Sequence, residues 1–322
     1  MAMIFKFEPH YFERVWGGRF FQTKLNRTIP QGIDVGESWD IVDRKDFQSI
    51  VTYPENGKLT IRDLLRSKHP EIMGPGWKKD QRFPLLVKWL DCRQRLSLQV
   101  HPPEELATSL KGEPKTENWY IADSSENAGV FIGLKQGTSK ESFIQALEED
   151  KIESVCQRIK SQTGDSILVE SGSIHAIDGG NLILEIQQNS DTTYRVYDWG
   201  RKGTDGLPRL LHIKESLACI NFQSFEPKIV REGSLPVQIL ADCKHFRIRK
   251  FKARKDQHLE LKQSNEQCMI LNPINSEISI GNTVIAPGEL GLSPFNKSCK
   301  VTIIKAGDLI VTDNFYHPSK NN

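Results

Sequence analysis

Short apolar or alternating stretches separated by turn residues run through most of this 322-residue chain and constrain its fold most strongly. In LSLQVHP (96–102), apolar residues alternate with Ser97, Gln99 and His101, which is the period of a strand that buries one face. Comparable runs include GVFIGL (129–134), NLILEIQ (181–187) and KVTIIKA (300–306). Many short strands at fairly even spacing predict a mainly β fold, a sandwich or barrel of the jelly-roll kind.

Helical signals are few. Thr60 followed by Asp63 is typical of a capped helix start, and residues 139–160 carry apolar side chains near helical spacing. Residues 102–110 offer one more short helix. We therefore expect a few short helices among the strands.

The chain becomes polar and rich in turns near residues 223–236, and we place a domain boundary there. Residues 1–225, with the helical segment at about 139–160, form the first predicted domain, and residues 235–322 form a second, smaller all-β domain. A glycine–strand–turn–strand pattern occurs at 164–175 and again at 281–289. This similarity indicates two related barrels, of which only the first carries a histidine, His175, at its end.

Charge and cysteine content indicate which partners and which cellular compartment to expect. Lys plus Arg number 43 and Asp plus Glu 41, so a net charge of +2 gives no reason to expect a nucleic-acid or membrane-surface partner. The basic run 244–255 is interpreted as an exposed strand with Phe246 and Ile248 turned inward and its cations solvated. We find no signal-peptide pattern, no membrane-spanning window and no C-x-x-C among the six cysteines, so we expect reduced thiols in a cytoplasmic protein.

Three short motifs offer metal ligands. Residues two apart in a strand lie on one face, about 6.6 Å apart, so Gln99 and His101 can converge on one ion, and Glu117 follows Lys115 at the same spacing. With His175, the set provides two imidazoles, a carboxylate and an amide oxygen, which suit zinc, iron or another divalent metal. Each motif alone is more often a solvated strand face or a hydrogen-bonded histidine, and only their combination indicates a metal site.

A fourth stretch, residues 184–201, is unusually polar for a strand pair. Glu185 alternates with apolar neighbours, and Arg195 lies among Tyr194 and Val196. Charged side chains in such positions are costly to bury unless they are paired or functional. A polar hairpin loop with Asn189-Ser-Asp as its turn is the simpler interpretation of the loop itself.

Together these stretches closely resemble the type I phosphomannose isomerases of the cupin superfamily, in their compact bacterial form. The matching segments are FPLLVKWLDCRQRLSLQVHP (83–102), KTENWYIAD (115–123), SGSIHAI (171–177) and LEIQQNSDTTYR (184–195), and RVWGG (14–18) and GESWDI (36–41) also fit. The resemblance implies two cupin-type jelly-roll barrels, the first catalytic and the second without metal ligands. It also implies reversible conversion of mannose 6-phosphate to fructose 6-phosphate.

The resemblance also implies roles for individual residues. One zinc ion per chain would lie in the first barrel, held by the residues Gln99, His101, Glu117 and His175. Arg195 matches the family's active-site arginine, and the resemblance places Lys88, Lys115, Glu185 and Asp191 in the pocket. We assign Arg195, Lys115 and Glu185 to catalysis, with Glu185 or Lys115 as the proton carrier, and Lys88, Ser97 and Asp191 to substrate binding.

Two alternatives stay open. An iron-dependent cupin oxygenase would use the same two histidines and carboxylate, but Lys115 and Arg195 have no evident task in it. A sugar-binding cupin without activity would not need the full set of polar residues. We expect the protein to act as a monomer on a small sugar phosphate, without nucleic-acid or membrane partners.

Overall fold

The computed structural model describes residues 4–54, 57–223, 227–261, 267–295 and 299–315. The helices in these ranges are α1 (Phe20–Thr23), α2 (Ile61–Met73), α3 (Glu104–Ala107), α4 (Lys140–Glu148), α5 (Ile213–Cys219) and a 3-10 turn (Ile152–Ser154). Within the described part of the chain, no helix has both the length and the apolar character needed to cross a membrane. The described cysteines form no disulfide, and five of the six are buried.

Strands make up most of the regular structure, which confirms the prediction of a mainly β chain. Those in the first half are β1 (Lys6–Phe7), β2 (His10–Gly18), β3 (Val35–Ile41), β4 (Val51–Tyr53), β5 (Leu85–Cys92), β6 (Leu98–Val100), β7 (Glu117–Ser124), β8 (Gly129–Leu134) and β9 (Cys156–Lys160). They are followed by β10 (Ser166–Val169), β11 (His175–Ile177), β12 (Asn181–Gln188), β13 (Tyr194–Tyr197), β14 (Lys228–Val230), β15 (Val237–Asp242) and β16 (Arg247–Ala253). The last are β17 (His258–Leu261), β18 (Met269–Pro273), β19 (Glu277–Ile280), β20 (Thr283–Ile285), β21 (Gly291–Ser293), β22 (Cys299–Lys305) and β23 (Gly307–Asp313).

Two of the predicted helices begin where the sequence predicts them, one of them at its predicted cap, Thr60. Thr60 Oγ1 accepts a hydrogen bond from Asp63 N at 3.1 Å before α2, and Ser139 forms a capping box before α4. The helical prediction for 139–160 is wrong beyond α4. Asp150 adopts a positive φ of 58° just after the helix, and Cys156–Lys160 forms a strand that pairs with β8. This pairing overrides the approximate helical spacing of the apolar residues.

The chain forms two compact units. Unit 1 comprises the residues up to His10, Trp39–Val87 and Gly233 onward, and unit 2 comprises Tyr11–Ser38 and Lys88–Glu232. The predicted boundary near 225–235 lies where the chain passes from unit 2 to unit 1. The segments up to His10 and Trp39–Val87 lie in the first predicted domain but group with the C-terminal residues, because pairings such as Phe5 with Leu292 join them. The catalytic role of the first domain stays a prediction.

Unit 1 contains two larger antiparallel sheets with strand orders β15-β16-β23-β18-β21 and β17-β22-β19-β20. Their apolar side chains share one core cluster. On β16, Ile248 is buried as predicted, and Arg247 and Arg249 pair with Asp313 at 2.8 and 2.5 Å. Lys250 is also buried, so the prediction of solvated cations is wrong there, because Lys250 shares the covered face of the strand with Ile248.

Unit 2 contains most of a seven-stranded sheet, β14-β10-β7-β12-β5-β3-β2, and a five-stranded sheet, β13-β6-β11-β8-β9. One core cluster contains side chains of both sheets, among them Trp119 and Ile183 from the first and Ile132 and Ile177 from the second. Helices α4 and α5 pack on the other face of the five-stranded sheet, in a cluster that includes Leu98. Polar residues on the inner faces therefore point into the space between two sheets, as expected for a jelly-roll. The number of barrels stays a prediction.

Candidate active site

Strand alternation places three charged residues of the seven-stranded sheet on its inner face. Glu117 lies two residues from Trp119 on β7, and Glu185 lies two residues from Ile183 on β12, so each shares the face of a core side chain. On β5, Lys88 shares its face with the core residue Leu90. All three charged side chains are buried.

The five-stranded sheet supplies the opposite wall. Its register pairs Gln99 with His175 on one side and with Arg195 on the other, so these residues lie side by side across three strands. The alternate residues Leu98 and Val100 pack toward the helices. Gln99 therefore faces inward, where a predicted metal ligand has to lie.

A cavity of about 540 Å³ opens between these walls. It is lined by seven of the predicted site residues, namely Lys88, Ser97, Gln99, Lys115, Glu185, Asp191 and Arg195. The other three predicted residues, His101, Glu117 and His175, form a buried cluster. Asp191 is exposed, whereas Lys88, Lys115 and Glu185 are buried. The structure thus brings the predicted set together in unit 2.

The buried cluster has the composition of a metal site. The ligand atoms of His101, Glu117 and His175 all lie within 4.8 Å of one another. Glu117 Oε2 is 3.3 Å from His101 Nε2, and Glu117 Oε1 is 3.5 Å from His175 Nε2. Both Nε2 atoms are buried and lack a hydrogen-bond partner among the described residues. Buried polar atoms without partners are costly, so this arrangement fits ligands turned toward a cation.

Backbone carbonyls fix the orientation of both imidazoles. His101 Nδ1 lies 2.9 Å from Thr192 O, and His175 Nδ1 lies 2.8 Å from Ser173 O. A carbonyl only accepts, so each Nδ1 must carry the proton and each Nε2 presents a lone pair. This is the tautomer that a metal-binding histidine needs.

Burial and neighbouring charges set the protonation of the three groups. Burial and the ammonium of Lys115 lower the pKa of His101 to about 3, and burial lowers the pKa of His175. Burial opposes the charge of Glu117, but Lys115 and the two imidazoles hold the pKa of that carboxyl well below its usual range. At neutral pH the cluster is therefore two neutral imidazoles and a carboxylate, the state that binds zinc.

A group of alternating charges lies beside the cluster. Lys115 Nζ is 2.7 Å from Glu117 Oε2 and 3.6 Å from Glu185 Oε1. Lys88 Nζ is 3.0 Å from the same Glu185 oxygen, and Trp119 Nε1 donates to Glu185 Oε2 at 3.1 Å. Two ammonium groups and one indole N–H therefore hold the Glu185 carboxylate in a single orientation inside the cavity.

The environment of Glu185 suits a proton acceptor. Burial and the charge of Glu117 raise the pKa of Glu185, although Lys115 and Lys88 oppose the change. Burial also opposes the charge of Lys88, but Glu185 and Glu37 outweigh it and raise the pKa of the ammonium. A carboxyl with a raised pKa in a polar cavity is a typical general acid–base group.

Arg195 extends its guanidinium along the cavity wall. Its Nη1 donates to Leu210 O at 2.9 Å, while its buried Nε has no hydrogen-bond partner among the described residues. Burial and nearby Arg209 lower the pKa of Arg195. A guanidinium that is fixed at one end and has an unused donor at the other can stabilise negative charge on a bound molecule.

Sequence reasoning missed several residues that line the cavity or contact the predicted site residues. Trp119 contacts both Glu185 and the ring of His175, whose centroid is 5.5 Å away. Glu37 lines the cavity and pairs with Arg14 at 3.1 Å. The alternation in VGESWDI (35–41) could have indicated Glu37, and its spacing from Glu117 could have indicated Trp119. Other wall residues that had not been singled out are Trp16, Arg209 and His212.

Comparison with known proteins identifies the family of the chain. Residues 4–143 match the family model of the type I phosphomannose isomerase catalytic domain. The probable mannose-6-phosphate isomerase GmuF of Bacillus subtilis is 33% identical over 312 residues, which cover 92% of this chain and 97% of that protein. The chain belongs to the type I phosphomannose isomerase family.

Two further comparisons support the assignment. Mannose-6-phosphate isomerase ManA of Bacillus subtilis is 37% identical over 251 residues, covering 76% of this chain and 78% of that protein. A crystal structure of the mannose 6-phosphate isomerase of Bacillus subtilis has a TM-score of 0.83 at 28% identity and covers 97% of this chain and 99% of its own. The similarity therefore extends over both units.

Proposed function

We propose that the protein is a zinc-dependent aldose–ketose isomerase that interconverts mannose 6-phosphate and fructose 6-phosphate through a cis-enediol. The proposal depends on the buried His101–Glu117–His175 cluster, which Lys115 Nζ links to the raised-pKa carboxyl of Glu185 on the cavity wall. The chain also shares its family with proteins named for this reaction.

Zinc fits the donor set. Two neutral imidazoles and one carboxylate are the ligands of catalytic zinc sites, and the oxygen of Gln99 is our proposed fourth ligand, since Gln99 is the strand neighbour of His175. Bound zinc would polarise the sugar oxygens at C1 and C2 as a Lewis acid. We propose one zinc ion per chain.

The reaction moves a proton between C1 and C2 of the sugar. We propose that Glu185 removes the proton from one carbon and returns it to the other, because Lys88 and Trp119 fix its carboxylate and burial raises its pKa. Lys115 lies between Glu117 and Glu185 and is the alternative carrier. Arg195 would stabilise the charge that develops on the enediol oxygens.

The remaining cavity residues suit substrate binding. Lys88 and Ser97 lie inside the cavity and Asp191 is exposed on its wall, and we propose that they bind the phosphate or the sugar hydroxyls. A monomeric state and a cytoplasmic location also stay proposals. Sedimentation of the purified protein and fractionation of its host cell would test them.

A coupled assay with mannose 6-phosphate tests the proposal. Chelation should abolish turnover and zinc should restore it. Glu185→Gln should lose far more activity than Lys115→Met if Glu185 carries the proton, with the reverse order pointing to Lys115. Absence of turnover in protein loaded with one zinc per chain would contradict the isomerase proposal, and oxygen uptake with iron would then indicate the oxygenase.

A further inference from the structure

The segment between β12 and β13 is built more firmly than a plain hairpin turn. We call residues 189–193 the anchor loop. Ser190, in the loop, and Gln187, just before it, are almost completely buried, at 1% and 0% exposure. Polar side chains in or next to an ordinary surface turn face water, so the burial of Ser190 and Gln187 needs another explanation.

Hydrogen bonds fix the anchor loop from both ends. Gln187 Nε2 donates to Ser190 O at 2.6 Å. Ser190 Oγ donates to Glu113 O at 3.1 Å and accepts from Thr192 N at 3.2 Å. Thr192 Oγ1 in turn accepts from Glu113 N at 2.9 Å. The loop is thereby held against the segment that leads into β7.

The anchor loop contacts the metal cluster through a backbone carbonyl. Thr192 O is the carbonyl that lies 2.9 Å from His101 Nδ1. On the other side, Thr116 N donates to Gln188 Oε1 at 2.8 Å, and Thr116 immediately precedes Glu117. The hydrogen bonds of Ser190 therefore help to hold the Thr192 carbonyl in place, although the partners of those bonds are Gln187, Glu113 and Thr192 and not the three cluster residues.

We infer that Ser190 and Gln187 are positioning residues that set the zinc affinity of the site by holding Thr192 O against His101 Nδ1. Partners behind a metal-binding histidine fix its tautomer and orientation, and their loss typically costs about 10- to 100-fold in metal affinity. The inference rests on the proposed zinc site but not on the isomerase reaction.

The test compares Ser190→Ala with Ser161→Ala. Ser161 is also buried in unit 2 and donates one hydrogen bond, to Asn181 Oδ1 at 2.7 Å, so it is a matched control away from the metal cluster. The Kd for zinc would be measured by competition with a chromogenic chelator. The absorption spectrum of the cobalt-substituted protein would report the ligand geometry, and the melting temperature of the chelated protein would report stability.

We expect Ser190→Ala to raise the Kd for zinc about 10- to 100-fold and to change the cobalt spectrum. Ser161→Ala should leave both unchanged. Gln187→Met, which removes the donor to Ser190 O, should act in the same direction as Ser190→Ala and gives a second reading if one variant folds poorly. Wild-type affinity in both Ser190→Ala and Gln187→Met, or an equal loss in Ser161→Ala, would overturn the inference.

The wild-type protein separates this inference from the proposed function. If it binds one zinc per chain without isomerase activity, the proposed reaction fails, and the comparison of Ser190 with Ser161 still decides the inference. If it binds no zinc, both fail.

Discussion

Replacing Trp119 by Phe tests the role of Glu185 most directly. The indole Nε1 donates to Glu185 Oε2 at 3.1 Å, and Phe keeps an aromatic ring in the core without that donor. A donor stabilises the charged form of a carboxyl and so lowers its pKa. Its removal should raise the pKa of Glu185, which burial has already raised.

The size of the effect follows from the hydrogen bond. A hydrogen bond to a charged group contributes about 1.5–3 kcal/mol, and one pKa unit corresponds to about 1.4 kcal/mol. The pKa of Glu185 should therefore rise by about 1–2 units. A base must be ionised to act, so activity falls as the pH drops through this pKa, and the acidic limb of kcat/KM should move by about 1–2 units to higher pH.

The assay is the pH profile of kcat/KM for mannose 6-phosphate, with zinc content measured in parallel. Trp89→Phe is the matched control, since Trp89 is fully buried and its Nε1 has no hydrogen-bond partner among the described residues. A displaced acidic limb in Trp119→Phe alone, at one zinc per chain, is the expected result. An unchanged limb in Trp119→Phe would refute the reasoning that Glu185 is the base.

Three other predictions concern charge. Arg195→Lys loses the planar donor whose Nη1 bonds Leu210 O, so kcat should fall by about 100-fold with unchanged zinc content, and wild-type kcat would contradict its role. Burial raises the pKa of Asp91 to about 6, which is above the value of this carboxyl in the unfolded chain. The protonated carboxyl therefore favours the folded state at low pH, and this contribution to stability is lost as the pH rises from about 4 through 6. The amide in Asp91→Asn can still accept the hydrogen bond from Phe20 N. Relative to wild type, the free energy of unfolding of this variant should increase by up to about 3 kcal/mol between pH 4 and pH 7. A difference in melting temperature that is the same at both pH values would disprove this. Arg62→Met removes the ion-pair partner that lies 2.8 Å from buried Asp43, and should lower the free energy of unfolding by about 3–5 kcal/mol in calorimetry. The double variant Asp43→Asn/Arg62→Met should recover part of this loss, and no recovery would argue against the pair.

Strand periodicity made much of the local structure predictable. The alternation in LSLQVHP correctly puts Ser97 and Gln99 on one face, where both line the cavity, and Thr60 correctly marks a helix start, because these signals depend on neighbouring residues. The helical interpretation fails at Cys156, where pairing with a distant strand overrides the local pattern. Element type is therefore least predictable where long-range pairing decides it.

The candidate site was predictable as a set of residues and not as a geometry. The spacings Gln99-x-His101 and Lys115-x-Glu117 predict that the members of each pair lie close together, and Lys115 Nζ is 2.7 Å from Glu117 Oε2, although His101 and Lys115 lie just outside β6 and β7. No local pattern could indicate that Glu117 and His175 meet, because they lie in different sheets of unit 2.

The sequence by itself thus determined which chemical groups are present, namely imidazoles, carboxylates and ammonium groups, and their spacing along the strands. Tertiary structure alone decided their chemical state. Burial between two sheets keeps His101 neutral, the ammonium of Lys115 keeps Glu117 ionised, and Trp119 gives Glu185 a donor that its own strand cannot supply. The physical reason is that a pKa depends on solvent exclusion and on charges a few ångströms away, and both come from residues that are distant in the sequence.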